Sequence, residues 1–381
     1  MKKILMTTWY QGNNFGTLLQ ALSLKWFLEK KGNNVFIQNN FAPNYHTYND
    51  IFISAIDKIL KKINKKKVKF PENYAKYKEE IEEQKRLIDI FLKKQYCGKE
   101  IKINTVELTH KAKKEIDVFI SGGDQIWNPY FLERHMMFDY LSQNEKIISF
   151  GTSIGVKKIP LIYRKFYRNM LGKYSFIGVR EESSKLELEK ILKKDVSVVV
   201  DPTMLLDVEE WIEIINREAT IDMKQEKPYI LCYFVGNRSY WKYIQKMKKE
   251  TGYNVYVLPV VQSIDKFEDD YEYIIKTNPV DFIKLIHDAE IVCTDSFHAT
   301  LYSVRLRKEL YVLKRFSDTD KKSQNGRIYE LLKKVDRENC IVQDEESFKR
   351  YGKEMIVDAE KYLQEDINYS KGLLEREINN E

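Results

Sequence analysis

Short apolar segments alternate with amphipathic segments along most of the chain. Residues 3–9 form the first apolar segment, and apolar side chains then recur every three or four positions until Gly32. Further apolar segments lie at residues 117–121, 146–151, 176–180 and 197–200. Segments this short suit strands that are buried on both faces of a parallel sheet. The pattern predicts an α/β domain that opens with a strand, a glycine-bearing loop and a helix.

A second series of alternating apolar and amphipathic segments follows the polar stretch at residues 207–227. Its apolar segments are residues 229–235, 254–258, 291–294 and 309–314, with helical patterns between them. The fold class is therefore predicted to be α/β, with two Rossmann-like domains. The expected ranges are an N-terminal domain at 1–206, a connection at 207–227, a C-terminal domain at 228–344 and a C-terminal helix at 345–381 that packs back across the domains.

Residues 51–70 form a basic helical insertion in the first domain. Apolar side chains recur at helical spacing on one face, and lysines surround that face. Such a helix either packs its apolar face on its own domain or lies at the surface of an anionic membrane. The sequence leaves both interpretations open.

Length, charge and cysteine content exclude several classes of protein. With 381 residues, 43% of them apolar, the chain is long enough for two cores and too apolar to be disordered. The net charge of +7 is a modest excess that favours anionic small molecules or a membrane surface and does not indicate nucleic acid. The four cysteines lack metal-binding spacing, so we expect reduced thiols, no metal and no cofactor. We expect a cytoplasmic protein, because no signal-type cleavage site or membrane-spanning run is present.

The segment 292–299 carries the most suggestive chemistry. It joins the end of an apolar strand to the start of a helix, where open α/β sheets bind their ligands. Asp295 and Ser296 are good helix caps, and His298 falls in the first helical turn beside any anion held by the free N–H groups. A histidine there can donate a proton near neutral pH. The alternative is that Asp295 and Ser296 only cap the helix and His298 packs at a cleft.

Positively charged side chains also lie directly after predicted strands. Arg180 ends a predicted strand of the first domain, and Lys314 and Arg315 end one of the second. An arginine at such an edge can hold a carboxylate or phosphate with two parallel hydrogen bonds. The alternatives are a salt bridge from Arg180 to Glu181 and surface charge pairs for the other two.

A glycine pair follows another strand and introduces polar side chains. After it, Asp124 and Gln125 can bind hydroxyl groups, and Trp127 can stack on a sugar ring. The first glycine-bearing loop, residues 12–17, has neither P-loop nor dinucleotide-binding spacing, which disfavours those two kinds of nucleotide binding.

Taken in order, these motifs resemble the polysaccharide pyruvyl transferase family. The matching segments are Asn13-Asn14-Phe15-Gly16-Thr17-Leu18-Leu19-Gln20, Ser121-Gly122-Gly123-Asp124-Gln125-Ile126-Trp127, Ser149-Phe150-Gly151-Thr152-Ser153, Val179-Arg180-Glu181-Glu182-Ser183, Asp201-Pro202-Thr203 and Thr294-Asp295-Ser296-Phe297-His298-Ala299. The resemblance implies a GT-B-like arrangement in which two domains face each other across a cleft. It also implies transfer of pyruvate from phosphoenolpyruvate, as donor substrate, to a sugar hydroxyl pair, which yields a pyruvate ketal.

The resemblance also implies roles for single residues. His298 would be the acid/base residue. Arg180 would bind the donor. Their positions at a helix start and a strand end, and not the resemblance, make Ser296, Lys314 and Arg315 further donor-binding candidates. Asn14, in the first motif, joins Asp124, Gln125 and Trp127 as a candidate for binding the acceptor.

Ser296 departs from the family pattern, in which many members carry an arginine at this position. Either Lys314 or Arg315 supplies the missing charge, or the donor is not phosphoenolpyruvate. Three functions therefore stay open: pyruvyl transfer, glycosyl transfer from a nucleotide sugar on the same fold, and glycan binding without catalysis. The expected partners are phosphoenolpyruvate and a glycan or lipid-linked saccharide of a bacterial surface polysaccharide, with contact at the inner face of an anionic membrane as the further option.

Overall fold

The computed structural model of the chain describes most of its residues. The described residues are 1–39, 76–103, 106–221, 228–236, 240–260, 271–317, 325–343, 350–352 and 356–380. The basic insertion predicted at residues 51–70 lies outside them. In this described part, helices are all too short or too polar to cross a bilayer.

Parallel strands form the sheet of the first domain. In the described residues the sheet has seven strands, in the spatial order β3-β2-β1-β4-β5-β6-β7. The strands are β1 (Lys3–Thr7), β2 (Asn34–Asn39), β3 (Glu100–Lys102), β4 (Val118–Ser121), β5 (Ile147–Thr152), β6 (Phe176–Val179) and β7 (Ser197–Val198). The helices between them are α1 (Phe15–Lys30), α2 (Lys78–Tyr96), α3 (Val106–Glu115), α4 (Leu161–Leu171) and α5 (Glu182–Leu192). The strand order reverses between β1 and β4, as in a Rossmann fold.

The second domain repeats this design on a smaller scale. Its described sheet has five parallel strands in the order β10-β9-β8-β11-β12 and reverses between β8 and β11. The strands are β8 (Tyr229–Tyr233), β9 (Asn254–Val257), β10 (Glu272–Tyr273), β11 (Ile291–Thr294) and β12 (Glu309–Val312). The helices are α6 (Val208–Glu218), α7 (Trp241–Thr251), α8 (Pro279–Asp288), α9 (Phe297–Arg305), α10 (Gly326–Lys334) and α11 (Glu360–Asn379). Two Rossmann-like α/β domains, the predicted fold class, are thus confirmed.

The central strands are buried on both faces. Ile4, Leu5 and Met6 of β1 have no exposed surface, and β4 pairs with them in parallel register. Strands without a solvent face read as continuous apolar runs, because both sets of alternating side chains need an apolar neighbour. This explains why the strands beside the strand-order reversals could be recognised from hydropathy.

Helix α1 connects the two domains. One side of it covers the first sheet, and the Phe15 ring stacks on the Phe282 ring of α8 with 5.7 Å between ring centres. The helix is consequently buried on almost every face, from Phe15 to Leu28. Its amino-terminal end is carried into the cleft between the domains.

The last helix packs against the first domain. The backbone N–H of Val200 donates to Ser370 Oγ of α11 at 3.0 Å, and Lys31 pairs with Glu375 at 2.8 Å. The polar stretch predicted as a connection, residues 207–227, contains α6. Its apolar side chains Trp211 and Ile214 are buried, so tertiary packing gives this stretch a helix.

Candidate functional site

A cavity lies between the two domains, at the carboxyl ends of their strands. It measures about 80 Å³. Loops after β1 and β4 line one side, and loops after β8, β11 and β12 line the other. These loops lie beside the two reversals of strand order, where open α/β sheets bind their ligands.

His298 lies in the first turn of α9, directly after β11. Ser296 is the N-cap of this helix, and its Oγ accepts a hydrogen bond from the Ala299 N–H at 3.4 Å. The side chain of His298 is 9% exposed and lines the cavity. Ser296 lines it too. The strand end and the cap therefore place His298 within reach of a small ligand without leaving it in open solvent.

A buried carboxylate joins His298 to Arg180. Asp201 Oδ2 lies 3.5 Å from His298 Nε2 and 2.5 Å from Arg180 Nη1. The other oxygen, Oδ1, accepts hydrogen bonds from the Thr203 N–H and hydroxyl at 3.0 and 2.7 Å. Burial alone would raise the pKa of Asp201, but the charges of His298 and Arg180, with the hydrogen bond from Thr203, hold this pKa well below its usual range. Asp201 is thus a fixed anion that orients both side chains.

Arg180 does not line the cavity, but it contacts Phe297, which does, and it keeps unused hydrogen-bonding capacity. Its side chain is 4% exposed, and Nε donates to Glu181 Oε1 at 3.1 Å. The guanidinium lies 5.0 Å from the centre of the Phe297 ring. Among the described residues, Nη2 has no hydrogen-bond partner. The structure therefore contains the salt bridge to Glu181 that was the alternative role of Arg180. One buried donor, costly to leave unpaired, stays without a partner among the described residues.

The amino-terminal end of α1 packs directly on His298. A Cβ built at Gly16 would lie 2.8 Å from the His298 Cβ and closer still to the imidazole ring. Only glycine permits the backbone to approach so closely. The first-domain motif around Asn14 thereby meets the second-domain motif that carries His298.

Asp295 shapes the wall on the second-domain side. Its carboxylate accepts hydrogen bonds from the backbone N–H groups of Val235 and Gly236 at 2.6 and 2.9 Å. Burial raises the pKa of Asp295 above its ordinary value. Asp295 therefore holds the loop after β8, whereas Ser296 caps α9.

Of the two cations after β12, Arg315 lines the cavity. Lys314 is turned to the other side, where its Nζ donates to Gln343 Oε1 at 2.7 Å. The expectation that Lys314 binds the donor is corrected by this geometry, and Arg315 is the residue that reaches the cavity.

Three of the four acceptor candidates lie together. Asn14, Asp124 and Gln125 line the cavity from the first-domain side, and Thr17 Oγ1 donates to Asp124 Oδ2 at 2.5 Å. The backbone φ of Asp124 is 64°, a left-handed conformation that turns the chain after β4.

Trp127, the fourth candidate, is placed elsewhere. Its side chain has no exposed surface and packs edge-on against Tyr174, with 5.6 Å between ring centres. Stacking of Trp127 on a sugar is therefore wrong for this structure, because the loop turns the indole into the core.

Arg327 of α10 is a cation that the sequence analysis missed. It lines the same cavity, and its guanidinium lies 5.5 Å from the centre of the Phe297 ring, which also contacts Arg180. Burial, helped by the charge of Arg180, lowers the pKa of Arg327 to about 10. Arginines held this close favour binding of an anion between them. No motif marks Arg327, since only the tertiary fold brings α10 to His298.

Asp201 was also missed as a site residue, although its motif was noted. Asp201 lies far from both His298 and Arg180 along the chain. Sequence spacing therefore could not indicate that it contacts both of them. Across the described ranges, we find no three histidine, cysteine or acidic side chains grouped to hold a metal ion.

Two doubly wound domains with a cavity between their carboxyl edges define a GT-B-like α/β protein. The model of the family described as polysaccharide pyruvyl transferase matches residues 14–315. The chain belongs to this family. None of the curated proteins compared with the chain matches its sequence.

Solved structures align with nearly the whole chain at low identity. UDP-GlcNAc 2-epimerase from Neisseria meningitidis is 11% identical, with 96% of this chain and 100% of that chain covered and a TM-score of 0.44. A putative UDP-N-acetylglucosamine 2-epimerase from Listeria monocytogenes is 11% identical, with coverages of 97% and 90% and a TM-score of 0.47. The ADP-heptose LPS heptosyltransferase II of E. coli is 11% identical, with coverages of 98% and 99% and a TM-score of 0.37.

Proposed function

We propose that the protein transfers pyruvate from phosphoenolpyruvate to two hydroxyls of one sugar in a bacterial surface polysaccharide or its precursor, with a pyruvate ketal and phosphate as products. The observation that carries this proposal is the meeting of His298 and Arg180 on one oxygen of Asp201, beside a cavity lined by Arg315 and Arg327. His298 and two arginines thus line one small space, and Arg180 contacts Phe297, which also lines it. This combination suits a small donor that carries both a carboxylate and a phosphate.

In this proposal, three arginines and one helix end hold the donor. The unused Nη2 of Arg180 is available on the first-domain side, and Arg315 and Arg327 lie on the second-domain side. The amino-terminal end of α9 adds free N–H groups and the positive end of the helix dipole. Arginine planes match carboxylate and phosphate oxygens with paired hydrogen bonds. In this proposal Arg327 supplies the charge that Ser296 does not.

His298 delivers the proton that starts the reaction. Protonation of the donor's methylene carbon turns the neighbouring carbon, which carries the phosphate, into an oxocarbenium-like centre. The first sugar hydroxyl attacks this centre, the bond between carbon and the phosphate oxygen breaks, and phosphate leaves with the electron pair. The second hydroxyl then closes the ketal ring. Of the two hydroxyl protons released, one restores His298 and the other leaves with phosphate.

Asp201 and Gly16 position the proton donor. Asp201 holds the imidazole from one side, and the backbone of α1 packs on it at Gly16. A positioned acid contributes about 10²–10⁴ to the rate of such a step. Asn14, Asp124 and Gln125 face the same space and suit contact with the reacting hydroxyls.

The test is phosphate release from phosphoenolpyruvate in the presence of a panel of bacterial surface glycans. We expect His298→Ala to lose at least about 10²-fold in rate, because the proton donor is gone. His287→Ala is the matched control, since His287 pairs with Asp288 on α8 outside the cavity. Equal rates for the wild-type protein and His298→Ala would overturn the proposal.

A further inference from the structure

A second, larger cavity adjoins the one that contains His298. Its volume is about 260 Å³. One wall is formed by the loop after β5 and the start of α5 in the first domain, and the other by the start of α10 in the second domain. It therefore lies in the same cleft between the domains.

Asn325 and Arg327 line both cavities. The guanidinium of Arg327 lies 5.5 Å from the centre of the Phe297 ring, and the His298 ring centre lies 5.3 Å from the same point. The side chain of Arg327 thus forms part of the wall of both cavities. A molecule in the larger cavity needs to extend only past this side chain to approach His298.

The larger cavity has carboxylates on its wall. They belong to Glu181 and Glu330, while Lys157 and Arg327 line the same cavity as cations. Burial, together with the charges of Glu181 and Glu182, raises the pKa of Glu330. Carboxylates are good acceptors for the hydroxyl groups of a neutral sugar.

The rest of the lining also suits a sugar. Ser183 and Ser184 contribute hydroxyls, and Ser184 Oγ already donates to Glu181 Oε2 at 3.0 Å. Tyr329 contributes an aromatic ring, whose face can pack on the C–H groups of a pyranose. The cavity therefore combines polar groups with one aromatic surface, as small-molecule sites commonly do.

We propose that this larger cavity is the acceptor subsite and binds a neutral pyranose, with Arg327 as the boundary between acceptor and donor. This inference rests on the proposed function for the identity of the reaction. The binding of a sugar in the cavity can nevertheless be tested without catalysis.

Gly326 allows the cavity to be filled without disturbing the fold. It lines the cavity, its φ is not left-handed, and no described atom lies within 4 Å of a Cβ built there. Gly372 in α11 has the same properties but lies outside both cavities. Gly326→Leu and Gly372→Leu are therefore a matched pair, and either change should stabilise its helix slightly.

The experiment measures saturation-transfer NMR of the full-length protein with methyl glycosides of hexoses and N-acetylhexosamines. Calorimetry of phosphoenolpyruvate binding is run in parallel. We expect Gly326→Leu to weaken binding of the best sugar at least about tenfold and to leave donor affinity within about twofold. Gly372→Leu should match the wild-type protein in both measurements.

Two results would overturn the inference. One is sugar binding by Gly326→Leu equal to that of the wild-type protein, and the other is the absence of binding of any of these glycosides to the wild-type protein. If instead sugar binding depends on Gly326 while phosphoenolpyruvate neither binds nor releases phosphate, the sugar site stands and the proposed reaction fails.

A polar variant gives an independent measurement. Glu330→Gln removes a charged hydrogen-bond acceptor from the cavity, so it should raise the KM for the sugar several-fold and leave kcat nearly unchanged. Glu365→Gln on α11 is the control, because Glu365 lies outside both cavities. A fall in kcat with an unchanged sugar KM would contradict a binding role for Glu330.

Discussion

At the scale of single residues, the site depends on contacts that no local motif encodes. Asp201 contacts both His298 and Arg180, although the three residues come from three separate segments. The sequence indicated His298 and Arg180 through strand ends and resemblance to a family. It could not indicate Arg327, because proximity between α10 and α9 is set by packing of the whole domain.

Gly16→Ala tests the positioning of His298. The new Cβ would lie 2.8 Å from the His298 Cβ, so the imidazole must move. A displacement of about 1 Å at a reacting group can cost roughly 10²-fold in rate. We expect that loss in phosphate release, with a far-ultraviolet circular dichroism spectrum like that of the wild-type protein. Gly372→Ala, where no described atom is near, should keep full activity; an equally active Gly16→Ala would show that the close approach is unimportant.

The burial of His135 should make the free energy of unfolding depend on pH. Burial lowers its pKa to about 4 in the folded protein, while the unfolded value is about 6.5. Between these values the unfolded chain binds a proton that folded His135 does not, so stability falls as the pH drops from about 6.5 to 4, by roughly 3 kcal/mol in all. Urea denaturation at several pH values should show a shallower fall for His135→Gln. The exposed His110→Gln is the control, and identical slopes for wild type and His135→Gln would contradict this assignment.

At the scale of elements, hydropathy located all the described strands except β2, β3 and β10. β11 was predicted at residues 291–294 and lies there, because all four of its side chains are buried. β3 and β10 have three and two residues. Strands this short leave no measurable periodicity, and they form because a longer neighbour offers a free edge.

Helix α1 shows a second limit of pattern analysis. The sequence indicated one apolar face, but the helix is buried nearly all round. Its other side is covered by α8 of the second domain, through contacts such as the stacked rings of Phe15 and Phe282. The spacing of apolar residues predicts a helix. It does not predict which distant element will pack against that helix.

Helix α11 provides a prediction about stability. Leu374 has no exposed surface and belongs to the core cluster that includes α1. Truncation of a buried leucine to alanine costs about 2–5 kcal/mol, so Leu374→Ala should lower the free energy of unfolding by that amount in urea. Leu186→Ala, at a side chain 60% exposed, should change it by less than about 0.5 kcal/mol. Equal stabilities for the two variants would contradict packing of α11 into the core.

At the scale of the whole molecule, the cleft brings together groups from both domains. Arg180 belongs to the first domain, and His298, Arg315 and Arg327 belong to the second. A donor held between them contacts both domains at once. Because only the folded protein assembles this site, ligand binding must stabilise the folded state.

Thermal unfolding separates the proposed donor from a nucleotide. At about 100 times its Kd, phosphoenolpyruvate should add about 2.7 kcal/mol of stability and raise the Tm. Inorganic sulfate at the same ionic strength is the control and should have a smaller effect. Stabilisation by uridine diphosphate, with none by phosphoenolpyruvate, would instead support a nucleotide-sugar glycosyltransferase.

The most direct measurement is a crystal structure of the protein with phosphoenolpyruvate bound. We expect the donor's carboxylate and phosphate to contact Arg180, Arg315 and Arg327, with its methylene carbon about 3–3.5 Å from a ring nitrogen of His298. A donor bound outside this cavity, or with its methylene carbon turned away from His298, would contradict the proposed mechanism.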